Sequence, residues 1–336
     1  MWRPASEALE RPFEVDGLTL VPEASIGIAS SPTDGDDAPT LLQRADVAMY
    51  AAKAAGAPYA FYAADADVNS PSRLSLVGDL RHALDAEGQL VLYYQPLATV
   101  ETRVVQAMEA LVRWEHPTLG LLPPIDFIPL AEHSGLIRPL TSWVLDHAIA
   151  QCAQWRAEGI ELVVAVNLSG RNLREPDLPA QVAGLLERHG VPASSLELEI
   201  TESALMSEPA LAMRLLSELS ELGVRLALDD FGTGYSSLAY LRDLPADELK
   251  IDRRFVAAML TNAADASIVQ SVIDLAHNLG MRVTAEGVET EAAWSHLATL
   301  DCDQIQGYHL ARPAPPDEAI ETLRRLGSLP GAAAPL

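Results

Sequence analysis

Eight short apolar runs, at residues 90 to 94, 104 to 112, 162 to 168, 196 to 200, 224 to 228, 248 to 252, 282 to 286 and 304 to 308, constrain this chain more than any other feature. From the third run onward they are separated by stretches of helical periodicity. Examples are Leu211, Leu215, Leu219 and Leu222 ahead of Gly223, and Ile268, Val272, Ile273, Ala276 and Leu279 ahead of Gly280. An apolar run of this length bounded by turn residues reads as a buried strand, and a glycine just past the last apolar position is where a helix ends. Eight strands with helical crossovers in about 250 residues predict an α/β protein folded as a (β/α)8 barrel. The first two strands break the pattern. Only about seven residues, around Ala98-Thr-Val-Glu-Thr-Arg103, join them, whereas a parallel crossover takes a dozen or more. A hairpin is therefore expected, with one barrel strand running antiparallel to the rest.

A polar residue recurs at or near the end of successive runs: Glu109, Asn167, Glu199, Asp229, Lys250, Glu286 and Gln306. Parallel barrel strands direct those ends to one mouth, the face where barrel enzymes carry their chemistry. Each residue alone has an ordinary explanation, such as a solvent-facing acid, a lysine with an apolar stem or an asparagine that begins a turn. Seven successive strands repeating the placement argue for a shared site. The fifth strand, Leu226-Ala-Leu, runs straight into Asp229 and Asp230 and then into the glycine-spaced loop Phe231-Gly-Thr-Gly-Tyr-Ser-Ser-Leu238. Two adjacent carboxylates repel each other unless a cation lies between them. Several acids and one Asn carbonyl form a hard-oxygen set suited to Mg2+ or Mn2+, with too few nearby His or Cys for zinc.

Composition excludes several function classes. With 336 residues, 49% of them apolar, the chain has room for a large core and a second small unit. A formal charge of −24 argues against extended contact with a nucleic-acid polymer or an anionic membrane, so an anionic ligand requires a locally cationic pocket. Cys152 and Cys302 lie far apart without metal spacing, which points to buried free thiols in a reducing compartment. No run has the length of a membrane span, and Met1-Trp-Arg-Pro-Ala-Ser-Glu7 lacks the apolar core of a signal peptide. A cytoplasmic location is expected, in a parent protein tethered to a membrane only if sequence precedes Met1.

Residues 1–63 read as a small α+β fragment. A strand is expected over residues 18 to 30, then an acidic loop, then a helix with Leu41, Leu42, Ala45, Ala48, Met49 and Ala52 on one face, then a strand over Tyr59-Ala-Phe-Tyr62. Residues 64–73 read as a linker, 74–327 as the barrel domain and 328–336 as a tail. Ala24-Ser-Ile-Gly-Ile-Ala29 and Ala45-Asp-Val-Ala-Met-Tyr-Ala-Ala-Lys53 resemble the C-terminal part of a GGDEF (diguanylate cyclase) domain. The chain contains no Gly-Gly-Asp-Glu-Phe, and the family's nucleotide- and metal-binding half would precede Met1. Cyclase activity is not expected.

Over residues 74 to 327 the motifs Glu109-Ala-Leu-Val-Arg-Trp-Glu-His-Pro117, Asn167-Leu-Ser169, Glu199-Ile-Thr-Glu202, Asp229-Asp-Phe-Gly-Thr-Gly-Tyr-Ser-Ser-Leu238, Lys250-Ile-Asp252, Ala285-Glu-Gly-Val-Glu289 and Gln306-Gly-Tyr308 resemble, in order, those of the EAL family of cyclic di-GMP phosphodiesterases. The resemblance implies a modified (β/α)8 barrel with one antiparallel strand, and hydrolysis of cyclic di-GMP to linear 5′-pGpG. It implies two divalent cations, one on Glu109, Asn167, Glu199 and Asp229 and the other on Asp229, Asp230 and Glu286. Lys250, Glu286 and Asp230 are implied in catalysis, and Arg113, Gln95 and Gln306 in substrate binding. Glu202 is implied as a brace for the loop after the paired aspartates, through loop N–H groups or the Thr233, Ser236 or Ser237 hydroxyls. A homodimer through this domain belongs to the same expectation. A catalytically silent receptor would keep the pocket and lose a ligand, and none of these positions is substituted. A metal-dependent barrel acting on sugars would not require the cation pair Arg113 and Lys250.

Overall fold

The computed structural model describes residues 13–15, 18–20, 25–54, 57–63, 71–86, 88–232, 238–327 and 329. The chain divides into two compact units, Met1–Arg81 and His82–Leu336, with the boundary inside the helix Pro71–Asp85. The expected linker at 64–73 lies outside the described residues except for 71–73, which already belong to that helix. Of the expected tail, only Leu329 is described.

In the first unit β1 (Phe13–Val15) pairs antiparallel with β2 (Leu18–Leu20), and β3 (Ile26–Ile28) pairs parallel with β4 (Tyr59–Phe61). The single strand expected over residues 18 to 30 is thus two strands in separate sheets. Pro22, between them, has no N–H to give a ladder. The helix Ala38–Ala54 connects β3 to β4 and packs against β3 at Gly27, where a Cβ would lie 1.8 Å from the Ala45 carbonyl oxygen. No other residue fits there, which accounts for the glycine within Ser-Ile-Gly-Ile.

The second unit is a closed barrel. Its strands are β5 (Leu90–Thr99), β6 (Val105–His116), β8 (Val163–Leu168), β9 (Leu196–Thr201), β10 (Arg225–Phe231), β11 (Glu248–Ile251), β12 (Arg282–Ala285) and β13 (Gln304–Gln306), with β7 (Gly120–Leu122) added to β6. They run in the order β5-β13-β12-β11-β10-β9-β8-β6, and β5 pairs with β6 to close the ring. β5 is antiparallel to both neighbours, as the short linker demanded, and all other barrel pairings are parallel. The hairpin turns through residues 100–104, where Arg103 takes a left-handed φ of 57°. The three-residue β7 is too short for a periodic signal and was not foreseen.

Alternation decides what fills the barrel. On β9, Leu196, Leu198 and Ile200 occupy one face and Glu197 and Glu199 the other, and all five are buried. Apolar faces of the strands meet the surrounding helices: the helix Ile137–Ala157, with Leu145, Ala148, Ile149 and Cys152 buried, packs against β8. Glu199 contacts Lys250 on β11 and Glu197 lies 3.6 Å from Arg282 on β12, neither strand a neighbour of β9, so both acids point into the barrel. Both cysteines are buried and free, as expected. No helix among the described residues is long and apolar enough to cross a membrane.

Candidate functional site

Register brings the first members of the site together. Gln95 on β5 stands opposite Glu109 on β6, and Asn167 on β8 opposite Glu199 on β9. Glu109 Oε1 accepts a hydrogen bond from Asn167 Nδ2 at 2.6 Å, and its Oε2 accepts one from Gln306 Nε2 at 2.5 Å. Gln306 Nε2 also donates to Gln95 Oε1 at 3.0 Å, and Gln95 Nε2 donates to the Ala311 carbonyl at 3.1 Å. Two amides therefore hold Glu109 from opposite sides.

Lys250 is fully enclosed. Its Nζ lies 2.7 Å from Glu199 Oε1, 2.8 Å from Glu286 Oε1 and 4.0 Å from Asp229 Oδ1. Burial by itself would lower this ammonium, but Glu199, Glu286, Asp229 and Glu109 outweigh it and hold the pKa well above the ordinary value. The carboxylates diverge because one ammonium cannot serve them all. Burial pushes Glu199 well above the carboxylate range despite Lys250, with Glu109 and Asp229 adding to the shift. Burial likewise carries Glu286 to about 8, and burial with Asp229 carries Asp230 to about 6. Glu109 resists its own burial and is lowered, through Lys250 and the Gln306 and Asn167 hydrogen bonds.

Asp229, Asp230 and Glu286 each offer a carboxylate oxygen within 4.8 Å of the other two. Asp230 reaches this position with a left-handed φ of 54°, its N–H donating to Asp229 Oδ1 at 2.8 Å. Glu286 leads into Gly287, at φ +69°, where a Cβ would lie 2.5 Å from the Cβ of Arg253. Only glycine permits that approach. The donor set fits a hard divalent cation: it is all oxygen, and two buried oxygens of neighbouring site residues, Glu199 Oε2 and Gln306 Oε1, have no hydrogen-bond partner among the described residues. Asp229 and Glu286 line a cavity of about 240 Å3 together with Gln95, Glu109, Gln306 and Tyr308. A larger apolar cleft of about 480 Å3 adjoins it at Leu111 and passes Asn167, Ser169 and Ile128.

Arg113 is two positions beyond Leu111 on the same face of β6. Its Nη1 donates to the Val112 carbonyl at 2.9 Å and its guanidinium lies 5.6 Å from the Tyr93 ring centre. It makes no ion pair with a described residue, and burial lowers its pKa. Glu202 begins the helix Glu202–Ser207, is 1% exposed and accepts from the Gly232 N–H at 3.1 Å through Oε2. Gly232 is the second residue of the loop after the paired aspartates. The expected hydroxyl partners Thr233, Ser236 and Ser237 lie outside the described residues.

Some neighbours of the site escaped the sequence reading. Asp252 shares a hydrogen bond with Asp230 and caps the helix Arg253–Ala258 by accepting from the Arg254 N–H at 2.8 Å. Its position two residues past Lys250 on the same face was the available signal. One layer deeper, Glu197, Glu248 and Thr284 each precede a site residue by two positions. Thr284 Oγ1 donates to Glu248 Oε1 at 2.6 Å, and Arg282 Nη2 lies 3.0 Å from Glu248 Oε2 and 3.6 Å from Glu197 Oε2.

Comparison with known proteins agrees with this geometry. The EAL domain model matches residues 77–313, and the model of the diguanylate cyclase GGDEF domain matches residues 1–58. The chain is 41% identical over 317 residues to the bifunctional diguanylate cyclase/cyclic di-GMP phosphodiesterase MucR of Pseudomonas aeruginosa, covering 94% of this chain and 46% of that protein. It is 43% identical over 320 residues to the cyclic di-GMP phosphodiesterase NbdA of the same organism, covering 95% of this chain and 41% of the relative. The chain thus spans less than half the length of these curated relatives. Its structure is similar to that of the PaMucR phosphodiesterase in complex with c-di-GMP, with a TM-score of 0.70 and 44% identity over 73% of this chain and 99% of that one. With a closed barrel whose one reversed strand is paired on both sides, and a family model matching most of its length, the chain belongs to the EAL domain family.

Proposed function

We propose that this chain hydrolyses cyclic di-GMP to linear 5′-pGpG, using divalent cations held by the carboxylates at the barrel mouth. One observation carries the reading. Five carboxylates, Glu109, Glu199, Asp229, Asp230 and Glu286, face one buried ammonium, so four negative charges are unbalanced when all are ionised. Two divalent cations match that deficit. Glu109, Asn167, Glu199 and Asp229 would hold one, and Asp229, Asp230 and Glu286 the other. When bound, such ions supply Lewis-acid activation of water and neutralise charge that develops at phosphorus.

The chain's own groups do the rest. Gln306 and Asn167 orient Glu109, and Lys250 keeps Glu199 and Glu286 from separating under their mutual repulsion. Arg113, free of any carboxylate partner among the described residues, clamps a phosphate oxygen through its planar fork. Gln95 supports that edge of the pocket through Gln306. Water adds to phosphorus, one P–O3′ ester bond breaks, and the 3′ oxygen leaves with a proton. The cavity and the adjoining cleft, which meet at Leu111, offer a dinucleotide room on either side of the carboxylates. Within this reading, residues 74–327 form the hydrolase domain, 1–63 a GGDEF-like remnant without cyclase activity, and two copies associate through the barrel domain.

Nucleotide chromatography of the purified chain with cyclic di-GMP and Mg2+ or Mn2+ tests the reading. Appearance of 5′-pGpG supports it. Binding of cyclic di-GMP without turnover would make the protein a receptor, and sedimentation of a monomer with full activity would remove the dimer.

A further inference from the structure

A further cavity, of about 660 Å3, lies on the outer side of β5 and shares no lining residue with the carboxylate cavity or with the apolar cleft beside it. Alternation places it there. Gln95 points into the barrel, so Tyr94 points outward, where its ring meets Trp155 of the helix Ile137–Ala157 edge to face at 4.8 Å. Tyr94 gives the cavity one aromatic wall, and Trp143 and His147, one turn apart on that helix, give it another. Their rings are stacked with centres 3.9 Å apart and planes at 21°. His147 Nδ1 donates to the Trp143 carbonyl at 2.8 Å, which holds the stack and leaves Nε2 of the neutral ring as an acceptor.

Charge decides what can occupy this space. The lining carries two acids, Asp85 and Glu115, and no lysine or arginine. Both acids are exposed, and neither forms an ion pair with a described residue. Asp85 is also the last residue of the helix Pro71–Asp85, whose terminal carbonyls already carry partial negative charge. An acid is unfavourable there until a cation comes to it. A cavity of this size takes a small organic molecule, its aromatic walls take a flat apolar body, and its uncompensated acids take a positive charge.

We propose that this cavity is a second binding site, for a small organic cation of the aryl amidine or guanidine class, with its ring against Trp143 and its charge toward Asp85 and Glu115. The site stands apart from the cyclic dinucleotide reading, because none of its residues takes part in that reaction. The same two acids repel an anionic nucleotide.

Benzamidine is the probe, titrated by calorimetry into the full chain, first alone and then with Ca2+ and cyclic di-GMP saturating the barrel mouth. One molecule is expected to bind under both conditions with a Kd of about 1 mM or tighter, as a ligand of its size allows. The neutral isostere benzamide is expected to bind roughly 5-fold or more weakly, and Asp85→Asn and Glu115→Gln to cost benzamidine roughly 2- to 5-fold each, as exposed charges do. Trp143→Ala is expected to cost roughly 3- to 30-fold, the range of a lost cation–aromatic contact, while Trp143→Phe keeps most of the affinity. The phenylalanine and amide variants preserve the packing, so they decide the matter even if the alanine variant unfolds. Absence of benzamidine binding, equal binding of benzamide, or affinity unmoved by all of these substitutions overturns the site. Displacement by Ca2+ and cyclic di-GMP would place the probe among the mouth carboxylates and overturn it as well. A chain that binds benzamidine with this pattern but binds no cyclic di-GMP would leave the second site standing and the hydrolase reading fallen.

Discussion

Glu197 and Glu199 stand two residues apart on one face of β9, equally buried, yet their surroundings differ in charge balance. In the deeper layer Glu197 and Glu248 share Arg282, and Glu248 also takes the Thr284 hydroxyl. Two acids there meet one cation and one donor, and a single retained proton settles the account: burial and Glu248 push Glu197 up to about 8, with Arg282 opposing. At the mouth, five acids meet one ammonium, and buried oxygens on Glu199 and Gln306 remain without a partner among the described residues. A closed charge balance reads as structure, and an open one reads as a site waiting for cations. Burial alone does not tell the two apart.

The strongest test of that distinction removes an acid from the mouth. Glu109→Ala is expected to lower turnover by more than about 100-fold, exceeding what loss of a supporting group costs, with the far-ultraviolet circular dichroism unchanged. Near-full turnover with metal still bound would place Glu109 in the structural class with Glu197.

Glu202→Ala should cost less, roughly 10- to 100-fold in turnover and in metal affinity, because Glu202 acts through the Gly232 N–H. Kinetics and metal titration on the folded variant check this, and normal turnover would reject the brace. Metal affinity itself should rise with pH. Asp230, at about 6, and Glu286, at about 8, are protonated below those values and must release their protons to hold a cation. Calorimetry across pH 6–8, in buffers of different ionisation enthalpy, measures both the affinity and the protons released. A flat profile would contradict the open charge balance at the mouth.

The deeper layer should respond in stability instead. Arg282→Ala is expected to destabilise the fold by about 1–3 kcal/mol, less than for a fully buried pair because the guanidinium is 38% exposed, and turnover should persist in whatever remains folded. Denaturant unfolding measures it. The smallest effect is a pH slope. Because its folded pKa is raised, Glu197 contributes stability that is complete below the ordinary carboxylate value of 4.5 and is lost as pH rises through about 8. The melting temperature of Glu197→Gln should therefore fall less steeply over that window than that of the unaltered chain. Identical slopes would show that Glu197 does not hold the proton.

Much of this was legible in the residues themselves. Linker length dictated the antiparallel hairpin, because five to seven residues cannot carry a parallel crossover. Alternation and strand ends located Glu109, Asn167, Glu199, Asp229, Lys250, Glu286 and Gln306, since a strand's period and direction are local properties. The second buried pair was not legible: Glu197 and Glu248 look like the solvent-facing acids of any alternating strand. Nor was the enclosure of Lys250, a lysine whose long stem suits the surface equally well. Both depend on the curvature of the closed sheet, which turns side chains of β9 and β11, one strand apart across β10, toward each other although Glu199 and Lys250 are 51 residues apart. Strand period and direction, which are local, fixed which residues share a face and at what height each stands. Only the tertiary structure decided which of them meet, and hence where charge is balanced and where it is not, because electrostatic energy depends on distances across the barrel that no local pattern encodes.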